Sequence, residues 1–415
     1  MVLYLFGLHF QQWDPLGTGI DFIVFKFTIV FYFVAALFDR RRFFALKEVK
    51  YFLYPILAYF VLTSVVSYMH RSTGQEELVP VAQLLTLLSF VMLTNHFRND
   101  AKALRGGLAA FALGGIAVTV LFFFGVGLTY FDGRVALFGA NQNELGQKVA
   151  VTMIILISLV FGKNPRSMTA RYGALLVLPF LSVFLIRTGS RMALLGLLVG
   201  MLAFFVLGGS HRNSTYVIKL VVGAFFCYAI WIFASTSEVM SRRLMGLLNE
   251  GDTSGRDLIW TKLYDLVWEN PWFGVGKAGY EAESKRIFLE YLAPHNTFLQ
   301  VLCYGGFVGL ALWLIFMGRI FVAGFRSYTQ SGAILSLSLL AQVVPMVLVG
   351  DSLGSETCWF ILAVVASQST RRQTSSGSDV ISQKAKASTG NRGHANGPLR
   401  VGSRKSRYAH QMNRT

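Results

Sequence analysis

Uncharged apolar stretches recur along almost the whole chain, and no other feature constrains the fold as strongly. Each runs for about 15 to 25 residues, close to the ~20 that a helix needs to rise through a hydrocarbon core of about 30 Å. Inside lipid a helix satisfies its own backbone polar groups, which an open strand or loop cannot do. Hydrophobic residues make up 54% of the 415 and charged residues only 14%, against about 25% charged in soluble domains. The expected fold is therefore an all-α polytopic membrane protein.

The apolar runs place spans near residues 21–38, 51–68, 79–94, 106–128, 145–161, 174–186, 193–207, 220–234, 297–317, 333–349 and 358–366, about eleven or twelve in all. No repeat of fixed period is visible. The first ten residues are apolar but have no basic front and no small-residue cleavage site before Gln11 and Gln12. That argues against a cleavable leader and leaves two readings, a short interfacial helix or an incomplete first span. Cys227, Cys303 and Cys358 lie in or beside spans, so no disulfide framework or CxxC metal motif is expected.

The formal charge of +17 is unevenly distributed. Alternate loops carry most of the 38 Lys and Arg residues: Arg40, Arg41 and Arg42, then Arg98, Lys102 and Arg105, then Lys163, Arg166 and Arg171, then Arg319 and Arg326, and finally the tail. By the positive-inside rule these loops are cytoplasmic, and most acidic residues fall in the other set. This predicts a multi-pass membrane protein with a cytoplasmic C-terminus. Residues 1–368 form the membrane domain. The tail, 369–415, is poor in apolar residues and is expected to be disordered. Its charge is read as a topology determinant touching anionic lipid rather than as a nucleic-acid surface.

One outer segment, residues 235–294, far exceeds connector length, and long loops are often functional. Outer-face arginines are the informative residues. In IRTGSRMALLG (186–196), Arg187 and Arg191 flank a tight turn, and Ser190 is placed to cap the next helix. Arg191 then lies in a first helical turn, where the dipole disfavours a cation. Either it meets an anion there, or its aliphatic stem snorkels through lipid. Arg256 begins SGRDLIW, where Ser254 and Asp257 resemble a capping box. Ile259, Trp260, Leu263, Leu266 and Val267 share one face at helical spacing, which predicts an amphipathic helix lying on the outer membrane surface. A solvated charge is the plainer reading of Arg256. Arg134, Asn141, Asn143 and Glu144 gather in RVALFGANQNELG (134–146), where amides either bind sugar hydroxyls or cap a helix.

His295 and Asn296 stand at the outer end of the ninth span, in PHNTFLQVLCYGGFVGL (294–310). A helix N-terminus disfavours imidazolium, so a histidine there stays neutral and able to accept a proton. Near arginines, such an imidazole suits an acceptor hydroxyl attacking a phosphate-activated carbon while guanidiniums stabilise the departing diphosphate. Arginine suits this role because its planar fork pairs two phosphate oxygens.

Taken in order, RVALFGANQNELG, RTGSRMALLGLLVG, SGRDLIW, ENPWFGVG and PHNTFLQVLCYGGFVGL resemble the O-antigen ligase and polymerase superfamily of bacterial envelope glycosyltransferases, over about residues 134–312. The family's Asn-Pro-Asn reads Asn141-Gln142-Asn143 here. The resemblance implies a GT-C-like, metal-free glycosyltransferase without a cofactor, acting at the periplasmic face. Its donor would be an undecaprenyl-diphosphate-linked glycan and its acceptor a lipid- or glycan-linked saccharide. The family's functional positions fall on Arg191 and Arg256 for the diphosphate and on His295 for the acceptor, with Asn143 and Asn296 in support. No Asp-x-Asp motif occurs in the chain. The rival from another class is a transporter or flippase of lipid-linked sugar. That would need ionisable residues in mid-membrane, whereas the span centres carry almost no charge apart from Lys26.

Overall fold

A computed structural model describes residues 1–14, 23–71, 79–162, 167–208, 214–250 and 255–369. The tail from residue 370 onward and the capping residue Ser254 lie outside these. The described helices are α1 (Val2–Gly7), α2 (Ile23–Phe38), α3 (Arg40–Phe43), α4 (Leu46–Met69), α5 (Val79–Asn99), α6 (Ala101–Phe123), α7 (Gln142–Phe161) and α8 (Met168–Arg187). They continue with α9 (Arg191–Leu207), α10 (Ser214–Thr236), α11 (Glu238–Glu250), α12 (Arg256–Glu269), α13 (Gly276–Phe288), α14 (Thr297–Ser331), α15 (Ile334–Val349) and α16 (Glu356–Ser369).

A helix stands at each of the eleven places where the apolar runs predict a span, so the protein is an all-α polytopic membrane protein. Five helices (α4, α6, α7, α8 and α14) are long and apolar enough to cross a membrane. A sixth is added if α10 and α11, bent by 95° at their junction, count as one. Shorter apolar helices in α2, α9, α15 and α16 fill the bundle between them. Helix α9 packs along α15, α4 along α14, and α5 along α16.

At the basic end, Arg42 pairs with Asp100 at 2.9 Å and Arg98 with Glu48 at 3.1 Å. The opposite end gathers the α8–α9 turn, helices α11 to α13, the segment before α14 and the α15–α16 loop. This is where polar side chains build a site.

Two expectations are corrected. The span read to residue 128 ends at Phe123, and Gly125 and Gly127 turn the chain into the described residues' one pair of strands. These are β1 (Leu128–Phe131) and β2 (Arg134–Leu137), antiparallel with Phe131 opposite Arg134. The first ten residues, for which an interfacial helix and an incomplete span were both open, form α1 and a following turn whose Tyr4, Leu5, Leu8 and His9 are buried, packed against α6.

The second correction concerns α12. Leu263, Leu266 and Val267, expected to face lipid, are buried with Tyr280 of α13 and Leu299, Cys303 and Tyr304 of α14. Exposed instead are Leu258 and Trp268, at 72% and 69%. Periodicity reports an apolar stripe but not its partner, and here α14 supplies the partner through a break in its own ladder. Gly306 has φ 60° and ψ −160°, a conformation open essentially to glycine alone. The break diverts two backbone donors from the helix: Phe307 N–H goes to the Pro271 carbonyl at 2.7 Å, and Val308 N–H to Trp272 at 3.1 Å. The turn after α12 is thus stitched into the kink, and α12 is drawn onto protein rather than lipid.

Candidate functional site

The α8–α9 turn carries Arg191. Ser190 Oγ accepts from Ala193 N–H at 3.3 Å, capping α9 as its sequence predicts. Arg191 is the first residue of that helix, half-buried, and its Nη1 donates to the Arg243 carbonyl on α11 at 2.8 Å. Helix α11 can reach it because the chain turns through 95° after α10. Arg256 is the first residue of α12, whose N-cap is Gly255 at a positive φ of 75°.

Arg191 and Arg256 line one cavity of about 270 Å³. Its wall descends α9 through Leu194, Leu195 and Leu198, with Trp231, Leu244 and Leu247 facing from α10 and α11. Seven residues of helix cover about 10 Å, so the groove leads from two guanidinium-bearing residues into apolar surroundings.

His295 is tied to the same region through α12. Trp260, which also lines the cavity, donates its indole N–H to the Pro294 carbonyl at 2.9 Å. From the other side, Tyr280 Oη donates to the Leu292 carbonyl at 2.6 Å. Held between these tethers, His295 takes φ 51°, in the left-handed region that non-glycine residues seldom enter. Strain of this kind persists only where its surroundings impose it. Burial lowers the imidazole's proton affinity and the Arg256 charge lowers it further, while Asp351 opposes both. The group therefore stays neutral to a lower pH than a free histidine.

The two asparagines have visible local work. Asn296 Oδ1 caps α14 by accepting from Leu299 N–H at 3.1 Å. Asn143 Oδ1 accepts from Arg134 Nη2 at 2.7 Å. Next to the cap, Thr297 Oγ1 donates to Gly350 O at 3.0 Å and lies 2.9 Å from Ser352 Oγ. That contact anchors the α15–α16 loop and brings Asp351 within electrostatic reach of His295.

Two contributors escaped the sequence reading. Arg243 sits in a polar amphipathic helix beside Arg242, which makes an exposed pair with Glu238, so nothing in the sequence separates the two. Asp351 lies in a short loop remote in sequence from His295. Together Arg134, Arg191, Arg243 and Arg256 form a cationic group. Arg134 is brought down to about 10 by burial and then by Arg243, with Asp132 opposing and Arg191 and Arg256 adding. Arg256 is lowered by burial and by Arg191 and Arg243. Like charges gathered in this way favour a nearby anion.

A second cavity, about 470 Å³, contains none of Arg191, Arg256 or His295. It lies among α4, α5, α14 and α16, with Lys277, Tyr291, Gln300, Asp351 and Glu356 on its lining. Its link to the site is Asp351, which also acts on His295. Among the described residues no group of three or more His, Cys, Asp or Glu is placed to hold a metal ion.

Residues 174–314 match the family model described as O-antigen ligase. The matched stretch runs from α8 into α14 and so contains Arg191, Arg256 and His295. The chain is also similar to an O-antigen ligase of Pseudomonas aeruginosa, 28% identical over 211 residues. That alignment covers 50% of this chain and 48% of the relative, so the likeness spans about half of each.

Proposed function

We propose, from the match of residues 174–314 to the O-antigen ligase family, that this protein is a membrane glycosyltransferase of that family, acting on a glycan carried by a polyprenyl diphosphate, undecaprenyl diphosphate in a bacterial inner membrane. One observation carries the reading: two arginines head a 270 Å³ groove whose remaining wall is almost wholly apolar. A lipid diphosphate has the matching form, a multivalent anionic head on a hydrocarbon chain. Guanidinium forks suit its oxygens, and the leucines of α9 suit its tail.

In the proposed reaction an acceptor hydroxyl attacks the anomeric carbon of the donor sugar. The new glycosidic C–O bond forms as the bond from that carbon to the diphosphate oxygen breaks. His295, kept neutral by burial and Arg256, takes the hydroxyl proton and later passes it to water. Arg191 and Arg256 hold the lipid diphosphate as negative charge develops on the phosphate oxygen that leaves the anomeric carbon. This scheme assigns charge neutralisation to arginine, so no metal enters it. The saccharide acceptor is assigned to the larger cavity, whose Asp351 also acts on His295. The active face would be periplasmic, opposite the basic loops.

The decisive experiment is His295→Ala in an inserted, monodisperse protein. Glycan transfer should fall by a factor of about 10² or more while lipid-diphosphate binding persists. Normal transfer by that variant would remove the imidazole from the mechanism. Accumulation of donor on the wrong side of the membrane in the variant, with transfer intact, would favour a flippase.

A further inference from the structure

The β1–β2 hairpin delivers one buried cation to the α8–α9 turn. Arg134 is only 6% exposed. Its Nε donates to the Thr188 carbonyl at 2.9 Å, and its Nη2 donates to Asn143 Oδ1 at 2.7 Å. Thr188 is the C-cap of α8 and lies three residues before Arg191. Carbonyls at a helix C-terminus have no partner within the helix, and here an arginine from another element supplies one. Contact along the turn is close. Gly189, at φ 63°, leaves so little room that a Cβ there would stand 3.0 Å from Arg134 Cγ and 3.2 Å from its Nε.

The choice of residue is the unusual part. Both of these hydrogen bonds go to neutral acceptors, a backbone carbonyl and a side-chain amide, so neither offsets the charge. Burying a cation is costly unless it is compensated, and Arg243, Arg191 and Arg256 add repulsion that Asp132 only partly opposes. A neutral donor would brace the turn at less cost. A guanidinium is favoured if its rigid fork must hold two elements in register and its charge must face an anion.

We propose that Arg134 is a positioning residue for Arg191: by clamping the Thr188 carbonyl to Asn143 at the start of α7, it sets the turn from which Arg191 presents its guanidinium to the donor's diphosphate. This rests on the diphosphate reading of the α9 groove. It gives Asn143 a definite task as the α7 anchor of the clamp, and it makes the hairpin a structural arm of the site.

The test uses the full chain in lipid nanodiscs, with undecaprenyl diphosphate as binding probe and glycan transfer as the kinetic readout. Arg134→Gln should lower kcat about tenfold or more, with a smaller change in donor KM. Arg134→Lys should restore little, because one ammonium cannot span both acceptors. The double variant Arg134→Gln/Arg191→Ala should be no worse than Arg191→Ala alone, since a residue that acts through Arg191 has nothing left to act on. Multiplying losses in the double variant, or full rescue by lysine, would overturn the positioning role. Should Arg134→Gln fail to fold, Asn143→Ala cuts one tether only and carries the same comparison with Arg191→Ala. Probe binding unchanged in Arg191→Ala would defeat the diphosphate reading and the clamp with it. Lost binding in Arg191→Ala alongside an unimpaired Arg134→Gln would defeat the clamp alone.

Discussion

Replacing Gly306 by alanine should loosen the whole outer assembly, by an amount the structure allows to be worked. At φ 60° and ψ −160°, any residue with a Cβ incurs about 1–3 kcal/mol of backbone strain. The added Cβ would also fall 2.3 Å from the Trp272 carbonyl carbon and 2.5 Å from Phe273 N, atoms of backbone that cannot rotate away. Relief requires the 271–273 turn to move out. That breaks the bonds from Phe307 N–H to Pro271 and from Val308 N–H to Trp272, at about 1 kcal/mol each. The expected loss is about 3–5 kcal/mol, or a fall in unfolding midpoint on the order of 5–10 °C. Tryptophan fluorescence during thermal unfolding in detergent would record it, because Trp268 and Trp272 both contact Phe307. Gly318→Ala is the control, since a Cβ there meets nothing within 4 Å on the same helix. Equal midpoints for the two variants would refute the argument that the kink needs glycine.

Arg191→Lys keeps the charge but loses the fork, and transfer should fall about 10- to 100-fold; parental donor use would point instead to an arginine that only snorkels. Transfer that depends on neutral His295 is lost as pH falls through the imidazole's pKa, which burial and Arg256 place below the usual histidine value. Asp351 favours the protonated form, so Asp351→Asn should move the acid limb of the kcat/KM profile to still lower pH, and an upward shift would contradict the assignment. Lys148 is buried in α7, 2.7 Å from Glu144 and 2.6 Å from Gln11 Oε1. Lys148→Met should cost about 1–3 kcal/mol of stability, and adding Glu144→Gln should recover part of it; no recovery, measured by thermal unfolding, would show that the ion pair is not what holds this contact.

Several helix starts could be anticipated because they follow local rules. The Ser190 cap requires only the three residues that follow it, and so Arg191 at a helix start was visible in IRTGSRMALLG. Arg256 ahead of the apolar face of α12 and Asn296 at the outer end of the ninth span were legible in the sequence too. Arg243 and Asp351 were not, since each enters through a fold: the right-angle turn after α10 for one, and the Thr297–Gly350 contact for the other. Helix α12 shows the boundary most clearly. Its apolar face was correct in every residue, yet its partner was α14 rather than lipid.

What the sequence by itself determined is the membrane character and the positions of the helices, because crossing a hydrocarbon layer imposes a length and an absence of charge on consecutive residues. Caps at the helix ends belong to the same local order. Tertiary structure alone decided which distant loops meet: that Arg134 reaches across to Thr188, that a positive-φ glycine in α14 captures the turn after α12, and that Asp351 comes to bear on His295. These depend on contacts between residues tens to hundreds of positions apart, and no local pattern of hydrophobicity carries that information.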